Sequence, residues 1–138
     1  MDRIWLRNYP PGVPHEVNAD AYPSVAQMLE ESFRRHADRP FSVCMDRWMR
    51  YGELDRLSAR LGAWLQGQGL EPGARVAIML PNVPQFAVTM AAVLRAGYTC
   101  VNVNPLYTAR ELAHQLRDSG ACAIVILENF AHTLAEVI

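Results

Sequence analysis

A chain of 138 residues has the size of one domain, enough to bury roughly two-thirds of its unfolded surface in a single core. Hydrophobic residues at 51% and charged residues at 20% exclude a disordered tail and a collagen-like repeat. Thirteen basic residues against 14 acidic ones give a net charge of −1, and the charges are interspersed, which excludes a nucleic-acid footprint.

Residues 1–23 carry Pro10, Pro11, Gly12, Pro14 and Pro23 without a period. This predicts an extended Pro-rich arm whose means of packing are Trp5, Leu6, Tyr9 and Tyr22. The opening Met1-Asp2-Arg3-Ile4-Trp5-Leu6-Arg7 has no apolar core and no small-residue cleavage site, so it does not read as a secretion signal. Ser24 stands three residues before Gln27, the capping-box spacing, and predicts a helix start. Val25, Met28, Leu29 and Phe33 form its apolar stripe, and Asp38-Arg39-Pro40 ends it. Phe41 to Met45 and Trp48 to Tyr51, separated by Asp46-Arg47, suggest a hairpin, although its turn lacks the glycine a primed turn prefers.

Glu53 to Gln68 carries Leu54, Leu57, Leu61, Trp64 and Leu65 at helical spacing, with Gly67 and Gly69 offered as the left-handed closing residue. After the turn Glu71-Pro72-Gly73, the run 75–80 reads as a strand, and Asn82 as the cap of a helix reaching Gly97. Residues 99–104 read as a second strand, with Val101 and Val103 on one face. Thr108 and Glu111 make a capping box for a helix ending near Gly120. Residues 122–127 read as a third strand, followed by a helix over Asn129 to Ile138. Strands about two dozen residues apart with helices between them are the βαβ signature. The expected fold is therefore α/β: part of a doubly wound, mostly parallel sheet covered on both faces. Such sheets usually have more strands, so the chain reads as the front part of a larger protein. The longest apolar stretch, Phe86 to Leu94, is interrupted by Thr89 and followed by Arg95, far short of the roughly 20 residues of a membrane span.

Ligands of parallel sheets bind at the carboxyl ends of the strands, here the loops Pro81 to Gln85, Pro105 to Thr108 and Glu128 to Phe130. None contains glycine and the chain contains no Lys, so neither a dinucleotide fingerprint nor a Walker-type loop is present. A receiver-like cation site needs acids at strand ends, where the chain offers Asn102, Asn104 and only Glu128. His15, His36, His114 and His132 are not at ligand spacing, which favours surface or cap positions over a metal site. Ser24, Ser32, Ser42, Ser58 and Ser119 lack a nucleophile-elbow context. Met28, Trp64 and Met79 fall on core-facing stripes, and packing is their expected role. Asn82 and Asn104, beside prolines at strand ends, are expected to cap the following helices rather than line a cleft. Cys44, Cys100 and Cys122 are odd in number and lie in apolar runs, which reads as buried thiols in a reducing compartment, the cytosol by default. The sequence therefore assigns no catalytic, cofactor-binding or metal-binding residue. The arm, with Trp5, Leu6, Tyr9, Arg3 and Arg7, suits a membrane surface, a partner subunit or its own domain, and nothing in the sequence chooses among them.

From Ile4 onward the chain resembles the N-terminal portion of bacterial long-chain fatty acid CoA ligases of the AMP-forming, adenylate-forming superfamily. The residues that carry the resemblance are Trp5-Leu6 with Tyr9-Pro10, Arg50-Tyr51-Gly52-Glu53-Leu54, and Arg75 through Asn82. Leu94-Arg95-Ala96-Gly97 and the run from Val101 through Thr108 with Arg110-Glu111-Leu112 carry it most strongly. Asp118-Ser119-Gly120-Ala121, Ile124-Val125-Ile126 and Asn129 through Leu134 continue it.

The resemblance implies that residues 24–138 are the N-terminal α/β subdomain of an enzyme. Such an enzyme activates a fatty acid with ATP and Mg²⁺ to an acyl-adenylate and transfers the acyl group to CoA. It further implies that the Lys-bearing phosphate loop, the adenosine-binding motifs and the catalytic Lys lie beyond residue 138, so that the chain alone is inactive and binds no cofactor. A cytoplasmic enzyme peripheral to the inner membrane, and a homo-oligomer formed through the N-terminal region, are the associated expectations. The alternatives are a self-contained protein-interaction module, with a closed surface and monomeric behaviour, and a small-ligand binding domain stabilised by its ligand.

Overall fold

The computed structural model describes residues 2–138. It is a mixed α/β unit. The arm is not extended as expected: it holds a 3-10 turn, Ile4–Asn8, and further turns at 11–12 and 19–20, and Arg3 meets Glu16 across it at 2.6 Å. Then come α1 (Val25–Arg35), β1 (Pro40–Cys44), β2 (Arg47–Arg50), α2 (Tyr51–Gln66), β3 (Arg75–Met79), α3 (Pro84–Arg95), β4 (Thr99–Asn102), α4 (Ala109–Ser119), β5 (Ala123–Ile126) and α5 (Ala131–Ala135). The expected long last helix is a 3-10 turn, Glu128–Phe130, followed by the five residues of α5.

The strands β3, β4 and β5 form a parallel sheet in the order β4-β3-β5. The chain starts in the middle, steps to one side through α3 and crosses back to the other side through α4. Alternation along β3 sends Val76, Ile78 and Leu80 to one face, where they pack with Leu65, Ala92, Val93 and Tyr98. Ala77 and Met79 point to the other face and pack with Val103 and Leu112, and Val101 lies beside them as its spacing predicts. Val76, Ala77, Ile78 and Met79 are all completely buried. That two-sided burial is why the run has no polar member, and each of its larger side chains contributes about 1.5–3 kcal/mol.

A second cluster joins α1 and the hairpin to the helical layer. Phe33, Leu54 and Ala91 are its buried centre, with Leu29, Phe41, Met49 and Tyr51 around them. The stripe predicted for α1 is narrower than expected, because Val25 and Met28 are 53% and 37% exposed. Trp64 is likewise 58% exposed and is not a core residue, since the seam between α2 and α3 is filled from the Leu61 and Leu65 side. Gly62 keeps that seam tight: a Cβ there would sit 3.1 Å from the Ala92 carbonyl oxygen.

The hairpin turns at Met45–Asp46, one residue earlier than the sequence suggested, in the register Val43↔Trp48 and Cys44↔Arg47. Both turn residues have positive φ, 47° and 60°. A primed turn therefore forms without glycine, at the cost that bulky side chains meet in the left-handed region. Ser24 accepts a hydrogen bond from Gln27 N at 3.1 Å, while Thr108 and Glu111 form the full reciprocal box. Gly69, with φ of 73°, is the left-handed residue after α2, whereas Gly67 at φ −76° is not.

Candidate functional site

The order β4-β3-β5 makes the carboxyl ends of β3 and β5 a switch point, because the chain leaves β3 through α3 on one face of the sheet and leaves β5 toward α5 on the other. That crevice is where ligands of open parallel sheets bind. It is framed by Pro81-Asn82-Val83 after β3 and by Leu127 through Phe130 after β5, with Val103 through Tyr107 after β4 at the neighbouring strand end.

Neither asparagine there caps a helix, contrary to expectation. Asn82 is exposed, and the N-cap of α3 is Val83, which makes no side-chain cap. Pro84 at the first helical position is the cause: it holds the preceding residue extended, at φ −121° and ψ 156°, and so moves the cap one residue past Asn82. Asn104 instead shapes its own loop. Its Oδ1 accepts from Leu106 N at 3.0 Å and its carbonyl accepts from Tyr107 N at 3.1 Å, which displays Leu106 to solvent at 82% exposure.

Beside the crevice, a notch of about 240 Å³ opens between β1 and the first turn of α3, lined by Phe41, Val43, Asn82, Pro84, Phe86 and Ala87. It is mainly apolar. Ser42 also lines it, and the Ser42 hydroxyl is buried without a hydrogen-bond partner. A larger groove of about 940 Å³ runs along the solvent side of α4 past Thr108, Arg110, Glu111, His114, Arg117 and Asp118. Its charges are two of each sign and converge on no point, so it has the character of a solvated helix face.

The other singled-out side chains are scattered. His15 packs edge-on against Tyr9, His36 lies against Tyr51, and His132 meets the Thr133 hydroxyl at 3.3 Å. Among the described residues no three His, Cys, Asp or Glu side chains come together. Ser58 is buried, donating to the Asp55 carbonyl and accepting from Arg95 Nη1 at 2.9 Å; Ser119 donates to the Leu116 carbonyl. The cysteines are not uniformly buried: Cys122 is exposed, Cys44 half-buried and Cys100 half-buried. Burial pushes the Cys100 thiol above its ordinary pKa.

The one dense polar cluster among the described residues, missed at the level of sequence, is built on Arg95. Its guanidinium meets Asp55 at 2.8 Å and Glu30 at 3.2 Å, and lies over the Phe33 ring at 5.7 Å. It ties α1, α2 and α3 together away from the carboxyl edge. Three charged groups, one on each of three helices, leave no local sequence pattern that could have announced it.

The carboxyl edge thus offers neutral amides, apolar side chains and Glu128. A Mg²⁺ ion needs a convergent set of oxygen ligands, usually with a carboxylate or two, and the donors here do not provide one. The residues of this chain do not fit a resident metal by themselves.

This arrangement of a switch-pointed parallel sheet behind an antiparallel hairpin is that of the AMP-binding enzymes. The family's model matches residues 29–137, and the chain belongs to that family. It is 52% identical, over its whole length, to a long-chain-fatty-acid–CoA ligase of Escherichia coli O6:H1, of which it covers 25%. It is 43% identical to the ligase of that description from Haemophilus influenzae, again over the whole chain and 25% of the relative. The chain thus spans about a quarter of the length of the curated relatives it matches. Among solved structures, the apo form of Mycobacterium smegmatis MbtA superposes with a TM-score of 0.75 at 34% identity, over 81% of this chain and 21% of that one. A benzoate CoA ligase from Burkholderia xenovorans LB400 superposes with a TM-score of 0.77 over 81% of this chain and 23% of that one. At 21% identity that likeness shows the fold alone. No helix among the described residues is long and apolar enough to cross a membrane.

Proposed function

We propose that this chain is the N-terminal architectural portion of a long-chain fatty acid CoA ligase. The whole enzyme converts ATP, a long-chain fatty acid and CoA to acyl-CoA, AMP and diphosphate, with Mg²⁺ on the phosphates, in the cytoplasm. The observation that carries this reading is 52% identity to such a ligase sustained from end to end of the chain.

In this reading residues 24–138 are a structural subdomain preceded by the arm, residues 1–23. Its carboxyl edge forms one wall of a larger site and holds no catalytic, cofactor or metal residue. Adenylation and pyrophosphate departure need positive charge and oriented donors at fixed positions around phosphorus. The chain has no Lys, and the loops Pro81 to Gln85, Pro105 to Thr108 and Glu128 to Phe130 contain no Arg. The groups that stabilise charge on the phosphates therefore belong to the other three-quarters of such an enzyme, and the isolated chain is inactive.

The experiment is expression of the longer polypeptide that this sequence opens, followed by assay with ATP, Mg²⁺, CoA and palmitate. Formation of palmitoyl-CoA with one AMP per thioester is expected. A preparation that is folded but forms no acyl-CoA from any fatty acid of long chain would refute the proposal.

A further inference from the structure

The parallel sheet has two outer strands, β4 and β5, and their edges differ. Along β4, Thr99 N donates to the Ala74 carbonyl oxygen at 2.9 Å and Val103 N to that of Ile78 at 3.0 Å, so alternation turns the backbone groups of Cys100 and Asn102 away from β3. Gln115 of α4 covers that edge, its Nε2 donating to the Asn102 carbonyl oxygen at 2.8 Å. Along β5, Cys122 N donates to the Arg75 carbonyl oxygen at 3.0 Å, which turns the N–H and C=O groups of Ala123 and Val125 outward. No hydrogen bond among the described residues satisfies them.

The β5 edge carries none of the devices by which an edge strand avoids a partner. Ala123-Ile124-Val125-Ile126 has no charge and no proline, its register with β3 has no bulge, and all four side chains are half-buried. A flat apolar strand with unpaired backbone groups is a template for another strand. The charges at its two ends are opposite. Arg75 is exposed, and its Nη1 lies 3.5 Å from where a Cβ on Gly120 would stand, beside the start of β5. Glu128, also exposed, follows the end of β5. Neither belongs to an ion pair among the described residues, and the neighbouring Arg117 and Asp118 offset each other.

We infer that β5 is the contact between two copies of this chain, paired antiparallel about a two-fold axis normal to the sheet. With the axis beside Ile124, Ala123 faces Val125 of the second copy and Val125 faces its Ala123, each pair exchanging both of its N–H···O bonds. Ile124 meets its own counterpart on the face that Leu112 covers, and the two sheets become one. Antiparallel order sets the start of each β5 beside the end of the other, which brings Arg75 of each copy toward Glu128 of the other. A two-fold along the strands would set like charges together, so the charges select the antiparallel arrangement. The contact concerns the 138-residue chain by itself and does not rest on the ligase reading.

The test is sedimentation of the 138-residue chain over a wide range of concentration, with hydrogen exchange read at single amides. A monomer–dimer equilibrium is expected, in which protection of the Ala123 and Val125 amides rises with concentration while that of Cys100 and Asn102 does not. The Val125 N–H points away from β3, so Val125→Pro leaves the β3 ladder intact and should abolish the dimer. Arg75→Glu and Glu128→Arg should each weaken association about fivefold, and the two together should restore it.

A chain that is monomeric at every concentration, or a dimer that persists in a folded Val125→Pro variant, would overturn the inference. Should that variant fail to fold, the exposed charge pair decides alone: a dimer indifferent to Arg75→Glu and to Glu128→Arg would overturn it. So would protection of Ala123 and Val125 in a chain that stays monomeric, which would give the edge to another segment of the same chain. Association involves no acyl activation. Failure here leaves the ligase reading standing, and failure of the ligase assay leaves the β5 contact standing.

Discussion

Arg95 Nη1 lies 2.8 Å from Asp55 Oδ1, joining the last turn of α3 to the second turn of α2. The Arg95 side chain is only 18% exposed, and the same guanidinium reaches the Asp55 carbonyl and the Ser58 hydroxyl, each at 2.9 Å. Both acidic partners remain at least 40% exposed, so water screens much of the Coulomb attraction, and the fork of hydrogen bonds matters more than net charge. Arg95→Ala should lower unfolding free energy by about 2 kcal/mol. Arg95→Lys should recover less than half of that, because one ammonium cannot reach the carboxylates, the carbonyl and the hydroxyl together. Urea denaturation of the three proteins checks both statements.

Gly62 tests the close approach of α2 and α3. Alanine is the better helix former, yet a Cβ at this position would lie 3.1 Å from a backbone oxygen of α3, which cannot rotate away. Gly62→Ala should therefore destabilise by about 1–3 kcal/mol, in the opposite direction to its helix propensity. A rise in melting temperature would contradict this packing.

The cap of α4 carries a pH signature. Glu111 accepts from Thr108 N at 2.8 Å and from the Thr108 hydroxyl at 2.8 Å, and these bonds hold its carboxyl below the ordinary range. A depressed folded-state pKa stabilises above the unfolded value, and the contribution is lost as pH falls through the folded one. Stability should thus decline in the acid range below the usual Glu pKa, and Glu111→Gln should flatten that part of the profile. Thr108→Ala, which removes the side-chain cap, should cost about 1 kcal/mol at neutral pH. Thermal melts between pH 3 and 7 read all three.

Thiol reactivity separates two of the cysteines. Cys122 is exposed, while Cys100 is half-buried, points its Sγ at the Met90 carbonyl at 3.7 Å and has its pKa raised by burial. Since the thiolate is the reactive form, a maleimide reagent at pH 7.5 should modify Cys122 well before Cys100 in the folded chain. Equal rates in native buffer would contradict the placement of these two residues.

Where one residue pattern dictates the outcome, the sequence was legible. The apolar run of β3 and the Thr108–Glu111 spacing each admit one structure, and the alternation of strand and helix admits a parallel sheet. Legibility failed where a neighbour overrides a local rule. Pro84 displaces the cap from Asn82 to Val83. The register of β1 against β2, not turn preference, places Met45 and Asp46 in the left-handed region. Val25, Met28 and Trp64 have helical spacing but lie outside the seams, because a stripe shows that a helix has an apolar side and not how much of it a neighbour covers. The Arg95 cluster joins residues 40 and 65 positions apart, a separation over which only the folded chain brings side chains together. At the carboxyl edge, the actual work of Asn104, shaping its own loop, lies in hydrogen bonds from the backbone N–H groups of Leu106 and Tyr107 that spacing does not reveal.

The most direct test of the central claim is pyrophosphate release by the purified 138-residue chain, supplied with ATP, Mg²⁺ and palmitate, beside the longer polypeptide under the same conditions. A cooperative melt of the chain first establishes that it is folded. The account predicts release by the longer polypeptide and none by the chain above a protein-free blank. Palmitate-dependent release by the chain alone would contradict it.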